Sequence, residues 1–137
     1  MDITRDDLKH YQNMRLDLQS YDYQIEALYD TYRSPRMSAD GASRESDPGD
    51  PTARAYRKID RLKEKRRILI NRMEMIEEFV ESIEDNQERA ICRYHYILGF
   101  TWEATCLQIR GHHSLSTVSA YDARWWSEFE LRKSKQE

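Results

Sequence analysis

Apolar residues separated by alternating steps of four and three run through residues 55–83, and this spacing constrains the fold more than any other feature of the sequence. The steps bring these residues to one face of an α-helix in the heptad pattern that is typical of coiled coils. Asp50 and Pro51 supply an N-cap and a first helical residue, so the sequence predicts one long helix from residue 51 onward. The series is Ala55, Ile59, Leu62, Arg66, Leu69, Met73, Ile76, Val80 and Ile83, in which only Arg66 is polar.

The N-terminal part of the chain carries a second heptad series. Thr4 and Asp7 have the spacing of a capping box, and the series after them predicts a helix from about residue 4 to residue 32. Residues 33–50 have no such period and contain Ser-Pro, Asp-Gly and Asp-Pro turn signals, so we expect a mobile loop. Two long heptad helices joined by a loop predict a coiled-coil helical hairpin, with pairing of the second helix to its copy in another chain as the alternative. The N-terminal series is Tyr11, Met14, Leu18, Tyr21, Ile25, Leu28 and Tyr32.

Composition supports an all-α fold and excludes several classes of protein. Four glycines and three prolines in 137 residues are too few for the frequent turns of a β-sandwich or barrel. A net charge of −3 excludes a uniformly basic nucleic-acid coat. The sequence shows neither a membrane-length apolar run nor the order of a signal peptide, so we expect a cytoplasmic protein with Cys92 and Cys106 reduced.

Charge is segregated along the second predicted helix. Residues 54–72 hold nine basic residues and two acidic ones, whereas residues 73–88 hold seven acidic residues and no Lys or Arg. An antiparallel dimer of these helices would pair the opposite charges twice, and this favours a homodimer. The basic stretch is a candidate surface for nucleic acid or an acidic protein, and the alternative is a solvated face offset by carboxylates of the first helix. Its candidate residues are Arg54, Arg57, Lys58, Arg61, Lys65 and Arg66.

The C-terminal region, residues 86–137, predicts a compact helix-turn-helix domain after a coiled-coil dimerisation region at residues 1–85. A helix over residues 86–98 stops at Gly99, Thr101 caps a short second helix, and Ser114 or Ser116 caps the last helix, which reaches about residue 132. Trp126 is expected at the edge of the core. The predicted inward face of the last helix is Leu115, Val118, Tyr121, Trp125 and Phe129.

Two stretches of this region carry a resemblance to a known family. The first stretch resembles the opening of a sigma-factor-type helix-turn-helix and consists of Glu88-Arg89 followed by Tyr94-x-Tyr96-Ile97-x-Gly99-x-Thr101-Trp102-Glu103. The second stretch, Ser114–Val118, resembles the Ser-x-x-Thr-Val entry into the recognition helix of that module. With the Asp-Pro-Thr-Ala-Arg-Ala start at residues 50–55, the layout is similar to phage-encoded sigma-like proteins near the RinA and ArpU type late transcriptional regulators. The resemblance implies a sigma-region-4-like helix-turn-helix in a phage or prophage regulator that binds promoter or operator DNA. Ala104-Thr105-Cys106 and a longer turn after Ile109 depart from the family pattern.

If the last helix enters a major groove, its outward face supplies the contacts to double-stranded DNA. Serine and threonine hydroxyls reach phosphates or base edges, alanine contacts a thymine methyl group, and Arg124 is the candidate for bidentate contact with guanine. Residues 86–137 carry a net charge of only +1, so a dimer is needed to supply a second half-site. The candidate DNA-binding residues are Ser114, Ser116, Thr117, Ser119, Ala120, Ala123, Arg124 and Ser127.

Two other classes of function remain open. The chain could be a protein-binding inhibitor or adaptor that engages RNA polymerase or a host defence protein, such as an anti-CRISPR, through the acidic residues 73–88. It could also be a DNA-packaging component similar to small terminase subunits. We expect no enzyme and no cofactor, since no phosphate-binding loop or activated nucleophile is present in the sequence. Metal binding is not expected because the available ligands lack the spacing of a zinc motif: Cys92, His95, Cys106, His112 and His113.

Overall fold

The computed structural model describes residues 2–33, 50–109 and 114–136, and every regular element in these ranges is a helix. This confirms the all-α fold. None of the helices in these ranges is both long and apolar enough to cross a membrane. The helices are α1 (Arg5–Lys9), α2 (Tyr11–Arg33), α3 (Pro51–Ser82), α4 (Asn86–Cys92), which continues into a π-helical turn (Arg93–Ile97), α5 (Trp102–Gln108) and α6 (Leu115–Gln136).

The N-terminal helix begins as predicted but is not continuous. Thr4 accepts a hydrogen bond from the Asp7 backbone N–H, and the Asp7 carboxylate accepts one from the Thr4 N–H at 2.8 Å, which completes a capping box. The prediction of one helix to residue 32 is wrong at His10, where φ is −90° and ψ is −2°. Its ring Nδ1 lies 2.7 Å from the Asp6 carbonyl oxygen, so the side chain bonds locally where the helix ends.

The chain divides into two compact units, and the smaller one comprises Met14–Arg72. Within it α2 and α3 run antiparallel, because Asp22 pairs with Arg66 while Tyr29, further along α2, accepts a hydrogen bond from Lys63, earlier in α3. Within this unit Ile59 is buried, and the other described residues of the two heptad series are half-buried. The coiled-coil packing of the two series stays a prediction. Tyr32 belongs to the same series, but its side chain, like residues 34–49 of the predicted loop, lies outside the described residues.

The other unit joins Met1–Asn13 to Met73–Glu137. Its core contains Leu8 from α1, Ile76 and Val80 from α3, Ile91 from α4 and Val118 from α6, all buried. The N-terminal segment and the last turns of α3 therefore pack with the C-terminal helices. The division at residue 85 into a dimerisation region and a DNA-binding domain stays a prediction about function.

Helix α4 begins at residue 86 as predicted, and α5 and α6 begin after their predicted capping residues. Asp85 caps α4, Thr101 accepts a hydrogen bond from the Ala104 N–H at 3.1 Å, and Ser114 accepts one from the Thr117 N–H at 3.2 Å. Gly99 ends the π-helical turn with φ +79°, a conformation that favours glycine. The π-helical turn itself was not predicted. The predicted longer turn falls on residues 110–113, which lie outside the described residues.

The inward face of α6 differs from the prediction. Val118, Asp122 and Trp126 are buried, whereas Leu115 is 42% exposed, and the other predicted inward residues are half-buried. The prediction that Trp126 lies at the edge is wrong, since this side chain is only 1% exposed and stacks on Phe79 at a centroid distance of 5.7 Å. The buried face of α6 is therefore rotated from the predicted one, and it includes the polar residue Asp122.

Candidate nucleic-acid interface

The outward face of α6 carries most of the predicted DNA-binding residues. Arg124 is exposed, and so are five of the small residues, whereas Ser119 and Ala123 are half-buried. The Ser114 hydroxyl lies 2.7 Å from that of Thr117 and 3.2 Å from that of Ser116, so hydroxyl groups cluster at the start of the helix. The structure therefore places seven of the eight candidates on α6 and Ser114 at its N-terminal cap. The exposed small residues are Ser114, Ser116, Thr117, Ala120 and Ser127.

Arg124 rests on an aromatic ring. Its guanidinium carbon lies 5.6 Å from the centroid of the Tyr121 ring, within the range of a cation–π contact. The Tyr121 hydroxyl donates to Asp85 Oδ2 at 2.5 Å, and this hydrogen bond, followed by burial, raises the pKa of Tyr121 to about 12. Burial opposes ionisation of Asp85, yet hydrogen bonds from Tyr121 and from two backbone N–H groups lower its pKa. Asp85 is therefore ionised at neutral pH and is shared by α4 and α6.

The opposite side of α6 is held by a buried polar network. Asp122 is 0% exposed, and its Oδ2 accepts hydrogen bonds from the Tyr96 hydroxyl at 2.6 Å and from Arg5 Nη2 at 3.2 Å. Arg5 Nε also lies 3.4 Å from the Tyr96 hydroxyl. Three segments of the chain therefore converge on one carboxylate inside this unit. Burial raises the pKa of Tyr96, and the adjacent Asp122 raises it further, so the hydroxyl stays a donor.

Glu88 extends this network as a neutral acid. It is fully buried, and burial, together with the hydrogen bond and charge of Asp122, raises the pKa of Glu88 to about 10. Glu88 Oε1 and Asp122 Oδ1 have no hydrogen-bond partner among the described residues. Two carboxyl groups held this close inside the protein do not both ionise, and the raised pKa of Glu88 keeps that group protonated at neutral pH. The Cys92 thiol lies 3.4 Å from Glu88 Oε2, and burial raises the pKa of this thiol.

Of the five Cys and His residues that lack the spacing of a zinc motif, the three that the structure describes do not form one cluster. Cys92 lies with Glu88 and Asp122, whose ligand atoms are within 4.8 Å of one another. His95 instead stacks on Trp102 at 3.7 Å, and burial lowers the pKa of this histidine. Cys106 is half-buried against the core cluster around Ile91, whereas His112 and His113 lie outside the described residues. In the cluster of Glu88, Cys92 and Asp122, the first two side chains are neutral. The negative charge of the cluster therefore lies on Asp122, which pairs with Arg5.

Sequence reasoning missed Glu88, Asp122 and Arg5 as members of this network. A usable signal was present, because Asp122 lies four residues after Val118 and four before Trp126. That spacing places it on the same helix face as two core residues. Counting only apolar residues as inward concealed it.

The predicted basic surface lies on α3 in the unit Met14–Arg72. Most of its members are exposed, but Arg66 is half-buried and pairs with Asp22 at 2.5 Å. The neighbouring Arg67 pairs with Glu64 of its own helix at 2.6 Å. Carboxylates of α2 and α3 therefore offset part of the positive charge, as the alternative interpretation expects. The exposed members of the surface are Arg54, Arg57, Lys58, Arg61 and Lys65.

Comparisons with known proteins return no relative. No family model matches the chain, and no curated protein or solved structure is significantly similar to it.

Proposed function

We propose that the protein is a phage or prophage transcriptional regulator that binds double-stranded DNA through the outward face of α6. The single observation that carries this proposal is the two-sided character of α6. One side presents Arg124 among exposed small residues, and the other is fixed by the buried Asp122 and Trp126. Small side chains allow a helix to approach the floor of a major groove, and a fixed inner face holds the helix in one orientation.

We further propose that the regulator acts as a homodimer through a coiled coil that includes α3. The segregation of basic and acidic residues along α3 supports an antiparallel arrangement of two copies. Ile68, at 56% exposure, supplies apolar surface on the same helix. Dimerisation would place two sigma-region-4-like modules on two half-sites, which compensates for the low positive charge of each C-terminal region.

The proposal is tested by selecting binding sequences from random duplexes and then comparing charge-reversal variants of the full chain. Arg124→Glu removes the only Arg or Lys of the proposed contact face, so we expect loss of affinity and of sequence preference. Arg132→Glu is the matched control, because Arg132 is also exposed on α6 but lies beside Glu128 and Phe129 at the rim of a separate groove. Equal behaviour of the two variants would contradict the assignment of this face.

A specific observation also favours protein binding as a second candidate. Exposed carboxylates lie along the last turns of α3 and just after its end, and Leu107 on α5 is 76% exposed. A basic partner, such as RNA polymerase or a host defence protein, would suit the carboxylates, and the exposed leucine offers an apolar contact. Capture of the same partner from infected cells after nuclease treatment, together with an absence of duplex binding, would favour this candidate over DNA binding. The exposed carboxylates are those of Glu74, Glu77, Glu78, Glu81 and Glu84.

A further inference from the structure

The contact between Tyr121 and Arg124 is built from two residues spaced three apart on α6. Residues with this spacing are neighbours on one face of a helix, so the phenol ring lies where it can support the guanidinium. Tyr121 is half-buried and packs against the core cluster formed by Ile91, Ile109 and Val118. The ring is thus fixed by the core, while Arg124 remains exposed beside it.

The far end of the ring is fixed as well. Asp85 Oδ1 accepts hydrogen bonds from the backbone N–H groups of Gln87 and Glu88, at 3.0 and 3.1 Å, and so caps α4. Asp85 Oδ2 remains for the Tyr121 hydroxyl, so one carboxylate ties the start of α4 to the side chain beneath Arg124. A long arginine side chain loses less freedom on binding when a rigid surface already orients its planar guanidinium.

We propose that Tyr121 is a positioning residue, which holds the Arg124 guanidinium for bidentate contact with guanine in the major groove. This inference rests on the proposed function. Bidentate contact requires the guanidinium to lie in the plane of the base and to meet both O6 and N7. A guanidinium held over a fixed ring samples fewer orientations, and this restriction favours the approach in which it meets both guanine atoms.

The test uses 7-deazaguanine, which lacks the N7 acceptor, at each guanine of the selected sequence. In the wild-type protein, one such replacement is expected to weaken binding by about tenfold, and in Arg124→Ala it is expected to have no effect. Tyr121→Leu removes the ring and is expected to abolish the response to 7-deazaguanine while the salt dependence of binding stays unchanged. Tyr121→Phe keeps the ring but loses the hydrogen bond to Asp85, so it is expected to retain part of the response to 7-deazaguanine. Phe129→Leu, which alters another half-buried aromatic residue of α6, is expected to retain all of it.

NMR of the free protein tests the contact between Tyr121 and Arg124 without DNA. Stacking on a ring displaces the NMR resonances of the Arg124 side chain, and Tyr121→Phe is expected to preserve this displacement, whereas Tyr121→Leu is expected to remove it. Unchanged Arg124 resonances in a folded Tyr121→Leu protein would overturn the positioning role. So would an unchanged response to 7-deazaguanine in that variant, although the proposed function would then survive. Absence of any selected sequence for the wild-type protein would overturn both.

Discussion

Arg5 Nη2 lies 3.2 Å from Asp122 Oδ2, and this ion pair joins residues that are 117 positions apart in the chain. The Asp122 side chain has no exposed surface, so its charge depends on Arg5 and Tyr96 instead of on water. Asp122 belongs to the helix whose outward face we propose for DNA binding. The N-terminal helix thereby supports the opposite side of that helix.

Removal of Arg5 is expected to destabilise the protein strongly. Arg5→Ala leaves the buried Asp122 without its cationic partner, and loss of one partner of a buried pair costs about 3 kcal/mol or more. Lys9→Ala, an exposed position on the same helix, is the control and is expected to change stability by less than about 0.5 kcal/mol. Urea unfolding monitored by circular dichroism gives both values. Equal stability of the two variants would show that Asp122 does not depend on Arg5.

Protonation of Glu88 makes stability depend on pH. Its pKa is about 10 in the folded chain against an ordinary value of 4.5, so the folded state keeps a proton that the unfolded state has released. The free energy of unfolding is therefore expected to fall as pH rises from about 5 to about 10. The contribution of Glu88 is fully present below its ordinary pKa and is lost as pH approaches its folded value.

Glu88→Gln tests this dependence, because the amide is always neutral and can still donate to Asp122. We expect it to be more stable than the wild type at pH 8, by at least about 1 kcal/mol, and to show a shallower decline toward high pH. Glu78→Gln, at an exposed position of α3, is the control and should follow the wild-type profile. Chemical unfolding over a series of pH values measures all three proteins. A wild-type stability that rises between pH 5 and 9 would contradict a protonated Glu88.

The two adjacent tryptophans of α6 are expected to differ sharply. Trp126 is buried and stacks on Phe79, whereas Trp125 is half-buried at the rim of a groove. Trp126→Ala is expected to cost about 3–5 kcal/mol, and Trp125→Ala markedly less. Thermal unfolding ranks the two variants. A larger loss of stability in Trp125→Ala than in Trp126→Ala would contradict the buried face of the structure and favour the face that the apolar pattern predicts.

Local patterns in the sequence predicted most of the helices but not every helix boundary or buried face. The heptad series of α3 contains Ile59, Met73 and Val80, and all three are buried. Thr4 and Gly99 identified the start of α1 and the end of the π-helical turn, since capping and left-handed backbone are properties of a few adjacent residues.

The buried network was beyond the same reasoning. An aspartate is assigned to the surface unless its partner is known, and the partner of Asp122 lies in the first helix of the chain. At His10 the ring Nδ1 lies 2.7 Å from the Asp6 carbonyl oxygen, a local contact that apolar periodicity does not predict. Six of the eight candidate residues of the outward face are exposed, and their role in DNA binding stays a prediction.

The most direct test of DNA binding is the affinity of the full-length protein for a fluorescent duplex of its selected sequence, measured by anisotropy over a range of salt concentrations. A pair of α6 helices brings two Arg124 side chains to the duplex and releases counterions, so log K is expected to fall with log salt with a slope of about −2 or steeper. A slope near zero, or no binding at low salt, would contradict the account.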